Sequence, residues 1–152
     1  MAVKFSEKLA NIYRYFLEQE KQDVIILREE LTFCENYLEL FQSRFENGLE
    51  FKINIDKEYQ KKVIVSTTLQ QVLENVVKHN EISAESPVTI KMYVLDDYLI
   101  VENNKKPKLS EVKSNLNGIK NIELRYRYFS DKKLFIEQTK DFYKIKIPLL
   151  TV

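Results

Sequence analysis

The sequence predicts an α+β fold in which helices cover one face of a mixed sheet. Its first half places apolar residues at helical spacing, and its second half contains strands that alternate with period two. A helix with one polar face separates the two patterns. Because helices and strands are mixed in order along the chain, these observations predict a two-layer α/β sandwich.

The composition excludes several classes of protein. The 152 residues are 44% hydrophobic, which is enough for one buried core, and the single cysteine, Cys34, excludes an internal disulfide or a cysteine zinc cluster. Lys and Arg number 24 against 23 for Asp and Glu, so bulk charge does not favour nucleic acid or an anionic membrane. No apolar run approaches the roughly 18 residues of a membrane helix. We therefore expect a cytoplasmic location.

Two helices are predicted in the first half. The first has an apolar stripe at steps of 4, 3 and 4, formed by Phe5, Leu9, Ile12 and Phe16. The second has a stripe from Leu27 to Phe45 and ends at Asn47-Gly48.

Strands dominate the second half. Residues 49–55 alternate with period two, and residues 88–101 and 134–147 each predict an antiparallel hairpin. A helix is predicted at about 118–129, between the two hairpins.

The segment 67–80 carries the residues with the clearest chemical potential. Thr67 and Gln70 fit a capping box, which predicts a helix start. The polar side of this helix carries four residues at i,i+4 spacing: Glu74, Asn75, Lys78 and His79. Carboxylate, amide and cation together suit a magnesium-bound phosphate. The alternative is a solvated helix face with a Glu–Lys pair.

The order of residues 74–80 closely resembles the asparagine box of the GHKL ATPase superfamily, in the variant of LytS/YehU-type sensor histidine kinases. Other blocks resemble the same family in the same order along the chain: Tyr13-Arg14-Tyr15, Leu27-Arg28-Glu29-Glu30-Leu31, Tyr37-Leu38-Glu39-Leu40, Arg44-Phe45, Gly118-Ile119-Lys120-Asn121-Ile122, Arg125-Tyr126 and Ile147-Pro148-Leu149. The resemblance implies a Bergerat-type ATPase fold that binds ATP and magnesium.

The resemblance also implies roles for individual residues. Asn75 would bind Mg²⁺, Glu74 would be the catalytic carboxylate, and Lys78, His79 and Asn80 would bind ATP. At the first glycine box, Asn103 takes the place of the adenine-binding aspartate and is followed by Asn104. At the second, Gly118 and Asn121 would contact the nucleotide. Two family glycines are replaced, by Lys105 and Leu116, and residues 105–117 would form a lid.

The same resemblance predicts the organisation of the chain. His79, the only histidine, belongs to the asparagine box, so the phosphoacceptor histidine is expected outside this chain, as in an excised piece of a larger kinase. Residues 1–22 would be the second helix of a dimerisation hairpin, and residues 23–150 the ATP-binding catalytic domain.

Two functions of different class follow. The first is a protein-histidine kinase domain that passes the ATP γ-phosphoryl group to a histidine outside the chain and thence to a response regulator. Its intact parent would be a homodimer, anchored in a membrane only through segments absent here. The alternative is a degenerate interaction and dimerisation module that no longer turns over ATP. An anti-sigma-factor type of serine kinase would leave the Tyr13-Arg14-Tyr15 helix unexplained.

Overall fold

A computed structural model describes residues 2–19, 22–108 and 116–151. Its helices and strands, in chain order, are α1 Ala2–Gln19, β1 Val24–Ile26, α2 Leu27–Arg44, β2 Leu49–Asn54, α3 Lys57–Gln60, β3 Val63–Val65, α4 Thr68–His79, β4 Val88–Leu95, β5 Tyr98–Asn104, α5 Leu116–Arg127, β6 Phe135–Gln138 and β7 Phe142–Pro148. The predicted α+β fold is confirmed. No helix among these is long and apolar enough to cross a membrane.

The main sheet has five strands in the order β2-β4-β5-β7-β6. Both predicted hairpins are present, as the antiparallel pairs β4–β5 and β6–β7. The strand β2 lies parallel to β4, with Leu49 opposite Val88. A parallel pair requires a long crossover connection, and here the chain between the two strands forms α3, β3 and α4.

The two faces of the sheet differ in polarity. Residues that lie opposite each other across the strands share a face, and one such set is buried beneath the helices, including Ile90, Met92, Val101, Ile145 and Ile147. The other face is more polar, although Ile100 is buried there, with ion pairs between Lys144 and Glu102 at 3.6 Å and between Lys146 and Glu137 at 2.9 Å. This polarity places any buried site on the helix side of the sheet.

A second, two-stranded sheet pairs β1 with β3. The apolar residues 24–26 and 63–65 run antiparallel, with Ile25 opposite Ile64. The sequence patterns did not predict this sheet, because three-residue apolar runs carry too little periodicity to distinguish strand from helix.

The first helix packs on the second. Phe5 meets Phe41 edge to face with 5.9 Å between ring centroids, Tyr15 stacks on Phe33, and Ile12 is 8% exposed. The apolar stripe of this helix, which the sequence predicts to belong to a dimerisation hairpin, is therefore covered at these positions by the chain's own α2. Leu17, by contrast, is 60% exposed. The side chain of Phe16 lies outside the described residues.

The predicted capping box at the start of α4 is wrong, although the helix starts where it was expected. Thr67 has a left-handed backbone, with φ of 66°, and its side chain makes no capping hydrogen bond. The Thr68 hydroxyl instead donates to the carbonyl of Val65 at 2.7 Å. The left-handed turn directs the Thr67 side chain away from the first turn of the helix, where its hydroxyl accepts a hydrogen bond from Arg125.

Candidate functional site

A cavity of about 350 Å³ opens on the helix side of the sheet, between α4, the end of β5, α5 and the β6–β7 hairpin. Its lining residues are Asn75, Val76, His79, Asn80, Asn103, Lys105, Pro107, Ile119, Gln138 and Tyr143. This volume falls within the range of small-molecule sites, about 300–1,000 Å³. Four predicted site residues line it together: Asn75, His79, Asn80 and Asn103.

Asn80 connects the end of α4 to the segment that follows β5. Its side chain is 7% exposed, its Nδ2 donates to the Val76 carbonyl at 2.9 Å, and its Oδ1 accepts from the Lys106 N–H at 2.8 Å. The N–H of Glu81 donates to the Lys106 carbonyl at 2.7 Å. Asn80 also ends the helix. Its contact with Lys106 could not be predicted, since it joins residues 26 positions apart.

The two asparagines at the end of β5 lie on opposite faces of the sheet. Asn103 is 4% exposed, shares the buried face with Ile90, and donates through Nδ2 to the Asn104 carbonyl at 2.9 Å. Asn104 accepts from the Thr89 N–H at 2.7 Å and donates to the Pro87 carbonyl at 3.0 Å. Asn103 lines the cavity and Asn104 does not.

The four polar residues of α4 divide into two pairs. Asn75 and His79 line the cavity, whereas Glu74 and Lys78 do not, because successive residues of an α-helix are rotated by about 100°. Glu74 accepts hydrogen bonds from the Gln70 amide, at 3.2 Å, and from the Tyr13 hydroxyl of α1. Lys78 is exposed. All four side chains lie opposite the buried stripe of α4, but only Asn75 and His79 of them line the cavity.

His79 is held toward its neutral form. Partial burial lowers its pKa below the ordinary value of 6.5, and the positive charges of Lys78 and Lys108 lower it further. A neutral imidazole has one N–H to donate and one nitrogen to accept. At neutral pH, His79 therefore supplies a hydrogen-bonding group to the cavity wall.

The residues predicted on α5 take different positions. The helix already begins at Leu116, so Gly118 lies within its first turn, and a Cβ at this position would be 3.3 Å from Oε1 of Gln71 on α4. Asn121 is exposed and does not line the cavity. Among the described side chains of this helix, Ile119 lines the cavity, and no site role was predicted for it.

The segment after β5 begins with a lysine where the family has glycine. The Lys105 Nζ donates to Oε1 of Gln138 at 2.8 Å, and its N–H donates to the Asp141 carbonyl at 2.8 Å. Lys105 therefore attaches this segment to the β6–β7 hairpin and lines the cavity. Residues 109–115 of the predicted lid lie outside the described residues.

The donor set fits a magnesium ion that arrives with phosphates. No group of three or more His, Cys, Asp or Glu residues in the described ranges could hold a metal. Mg²⁺ is commonly bound through only one or two protein ligands plus substrate phosphates, and the half-buried Asn75 amide at the cavity wall offers one oxygen.

Comparisons with known proteins agree with this architecture. Residues 1–49 match the family model of histidine kinases (His_kinase). The chain is 28% identical to the sensor protein LytS of Bacillus cereus over 123 residues, 81% of this chain and 20% of that protein. It is 26% identical to the sensor histidine kinase/phosphatase LytS of Staphylococcus aureus over 121 residues, 76% of this chain and 20% of that protein. The chain spans about a fifth of the length of these relatives.

Solved structures of histidine kinases share the fold. The Acinetobacter baumannii histidine kinase AdeS superposes with a TM-score of 0.52 at 13% identity, covering 97% of this chain and 80% of that one. The catalytic domain of histidine kinase ThkA superposes with a TM-score of 0.52 at 12% identity, covering 82% of this chain and 94% of that one.

The fold is thus the one that these histidine kinase structures share. The predicted resemblance to LytS-type sensor histidine kinases is confirmed by the matching sequences. The alternative of a degenerate interaction module is not favoured by these matches.

Proposed function

We propose that this chain is the ATP-binding catalytic domain of a two-component sensor histidine kinase. The observation that supports the proposal most strongly is the cavity in which Asn75, His79 and Asn80 of the asparagine box face Asn103 of the sheet. This arrangement combines amide oxygens, an imidazole and an apolar floor, which is what a nucleotide with a flat base and charged phosphates requires.

Each lining residue has a distinct proposed role. The adenine would lie against Asn103, whose amide oxygen can accept a hydrogen bond from an amino group. The phosphates would lie toward Asn75 and His79, and their charge would be balanced by Lys105 in the lining and by Lys78 next to His79. Magnesium would be held by Asn75 and the phosphates, and would neutralise charge on the transferring phosphoryl group.

Glu74 would interact with the phosphoacceptor histidine rather than with the adenine of the nucleotide. Its carboxylate lies on the α1 side of α4, beside Tyr13, and outside the cavity lining. A histidine borne by another helix would therefore approach the γ-phosphate from the α1 side. Its ring nitrogen would form the new P–N bond as the bond to ADP breaks, and Glu74 would orient the imidazole. The phosphoryl group would then pass to a response-regulator aspartate.

Calorimetric titration with a non-hydrolysable ATP analogue, with and without magnesium, tests nucleotide binding. We expect magnesium-dependent binding that is lost in Asn103→Ala and loses its magnesium dependence in Asn75→Ala. Asn36→Ala, an exposed amide on α2, is the matched control and should bind normally. A ligand at 100 times its dissociation constant should stabilise the fold by about 2.7 kcal/mol. Absence of both heat and thermal shift would contradict the proposal and favour the interaction module.

Phosphoryl transfer needs a separate test. Incubation with radiolabelled ATP should leave no acid-labile phosphate on this chain, because His79 belongs to the nucleotide cavity. Addition of a purified acceptor-helix fragment of a LytS-type kinase should yield label on that fragment. Stable phosphate on His79 would contradict the assignment.

We also propose that the intact protein is a homodimer that uses α1. Phe5 and Ile12 pack on α2, so the contact would be made by the outer side of α1, where Leu17 is 60% exposed.

A further inference from the structure

Glu30 is a fully buried carboxylate beside the start of the asparagine-box helix. It lies on α2 with 0% exposure, and neither of its oxygens makes a hydrogen bond of ordinary geometry with the described residues. Its carboxylate faces the backbone N–H groups of Leu69 and Gln70, the second and third residues of α4. A buried glutamate without a close partner is rare, because desolvation of the charge is costly.

The start of α4 lacks a cap from its own sequence. The first N–H groups of a helix have no partner within it, and the Thr67 side chain supplies none here. The Thr68 hydroxyl and the Gln70 amide are directed to the Val65 carbonyl and to Glu74 instead. Glu30 is therefore the carboxylate that faces the positive end of the helix dipole, where negative charge is favourable.

Helix α5 holds the same segment from the other side. Arg125 donates to the Ser66 carbonyl at 2.8 Å and to the Thr67 hydroxyl at 3.0 Å, and the Tyr126 hydroxyl accepts from the Val65 N–H at 3.2 Å. The positive charge of Arg125 also favours the ionised form of Glu30, lowering its pKa. The segment that leads into α4 therefore lies between Glu30 of α2 and the hydrogen-bonding residues of α5.

A helix transmits a displacement of its start to its other end. Asn75 and Asn80 lie on or just beyond the same 12-residue helix that begins beside Glu30. We propose that Glu30 is a positioning residue, whose buried carboxylate faces the start of α4 from across the core and thereby sets the places of Asn75 and Asn80 in the cavity. The nucleotide part of this inference rests on the proposed function, whereas the helix part does not.

The surroundings of Glu30 give the proposal a pH dependence. Among the described residues, four titratable groups face it: Arg125 and Tyr126 from α5, Tyr15 from α1 and Cys34 from its own helix. Burial raises the pKa of Glu30 to about 7 against the lowering effects of the Gln70 and Leu69 amides and of Arg125. Burial also raises the pKa of Tyr126, Tyr15 and Cys34, so these three stay neutral. Glu30 is therefore the member of this group that changes charge near pH 7.

The experiment compares the wild-type chain with Glu30→Gln, Glu30→Leu and the exposed control Glu29→Gln. Amide proton shifts of Leu69, Gln70, Asn75 and Lys106 are followed by NMR from pH 6 to pH 8.5 without nucleotide. Affinity for an ATP analogue with magnesium is measured over the same range. Because the lowered pKa of His79 places its charge change below 6.5, that group contributes mainly at the acidic end and is retained in all variants.

We expect the Leu69, Gln70 and Asn75 amides to shift together with a midpoint near pH 7 in wild type and Glu29→Gln, and not in Glu30→Gln. Affinity should rise above pH 7 in wild type, and should be about three- to tenfold weaker at pH 8 in Glu30→Gln. Glu30→Leu, which has no acceptor, should be weaker still. Tm values of the variants close to that of the wild-type chain would exclude unfolding as the cause of the weaker affinity.

Two outcomes would overturn the proposal. One is a titration confined to Leu69 and Gln70 that leaves Asn75 and the affinity unchanged, since Glu30 would then act only locally. The other is wild-type affinity and pH profile in a folded Glu30→Leu variant. If wild type binds no nucleotide at all, the proposed function fails, and the shift of the Asn75 amide still decides whether Glu30 positions the helix.

Discussion

The side-chain oxygen of Asn80 accepts a hydrogen bond from the backbone N–H of Lys106 at 2.8 Å. The same asparagine donates to the Val76 carbonyl, one turn back in α4. One buried amide thus joins the last turn of the asparagine-box helix to the first residues beyond β5, and closes one corner of the cavity. Asn80, for which a nucleotide-binding role is proposed, therefore also has a structural role.

Removal of this amide should loosen the segment after β5. Asn80→Ala leaves the Lys106 N–H without its acceptor, and loss of one partner of a buried hydrogen bond costs about 1–3 kcal/mol. We expect the free energy of unfolding to fall by that amount, and hydrogen exchange at Lys106 to accelerate. Asn36→Ala, an exposed amide on α2, should change neither quantity. Unchanged exchange at Lys106 in Asn80→Ala would show that the contact does not hold the segment.

Glu30 should make the fold less stable as pH rises. Its native pKa of about 7 exceeds the ordinary glutamate value of 4.5, so the native state binds more protons than the unfolded state between these two values. The free energy of unfolding should therefore fall by about 3 kcal/mol as pH rises from 4.5 to 7. In Glu30→Gln this component is absent, and the variant should gain stability relative to wild type over the same interval. Chemical denaturation at several pH values measures the difference, and Glu29→Gln should follow wild type.

The two glycines should respond oppositely to alanine. A Cβ on Gly48 would lie 2.8 Å from the backbone carbonyl carbon of Ser83, which cannot rotate away. A Cβ on Gly118 would lie 3.3 Å from the end of the Gln71 side chain, which can. Gly48→Ala should lower Tm markedly, whereas Gly118→Ala should keep or raise it, since alanine is favoured by about 0.8–1 kcal/mol within a helix. Equal Tm losses would contradict the rigid contact at Ser83.

Substitutions on the two sides of α1 should separate folding from association. Leu9 packs on the core and Leu17 is 60% exposed. Leu9→Glu should therefore reduce stability by burying a charge, while Leu17→Glu should leave Tm unchanged and weaken any dimer. Sedimentation at several concentrations provides the measurement. A wild-type chain that stays monomeric at hundreds of micromolar would count against a dimer through the outer side of α1.

Local sequence patterns were sufficient to predict most of the secondary structure. The alternation at 49–55, 88–101 and 134–147 and the helical stripes predicted the strands and the long helices because the side-chain periods of strand and helix differ. The family motifs also predicted that Asn75, His79, Asn80 and Asn103 belong to one nucleotide site, and these four residues line one cavity.

Contacts between distant segments decided the rest. The parallel β2–β4 pair, the β1–β3 sheet and the bond from Lys106 to Asn80 join residues whose separation leaves no local pattern. The rotation of α4 against the sheet selected Asn75 and His79 for the cavity and turned Glu74 toward Tyr13. Burial converted Glu30, an ordinary polar position in its motif, into a carboxylate with a pKa of about 7. By itself, the sequence determined the elements and the family resemblance; which side chains meet, and in what charge state, depends on packing that only the folded chain provides.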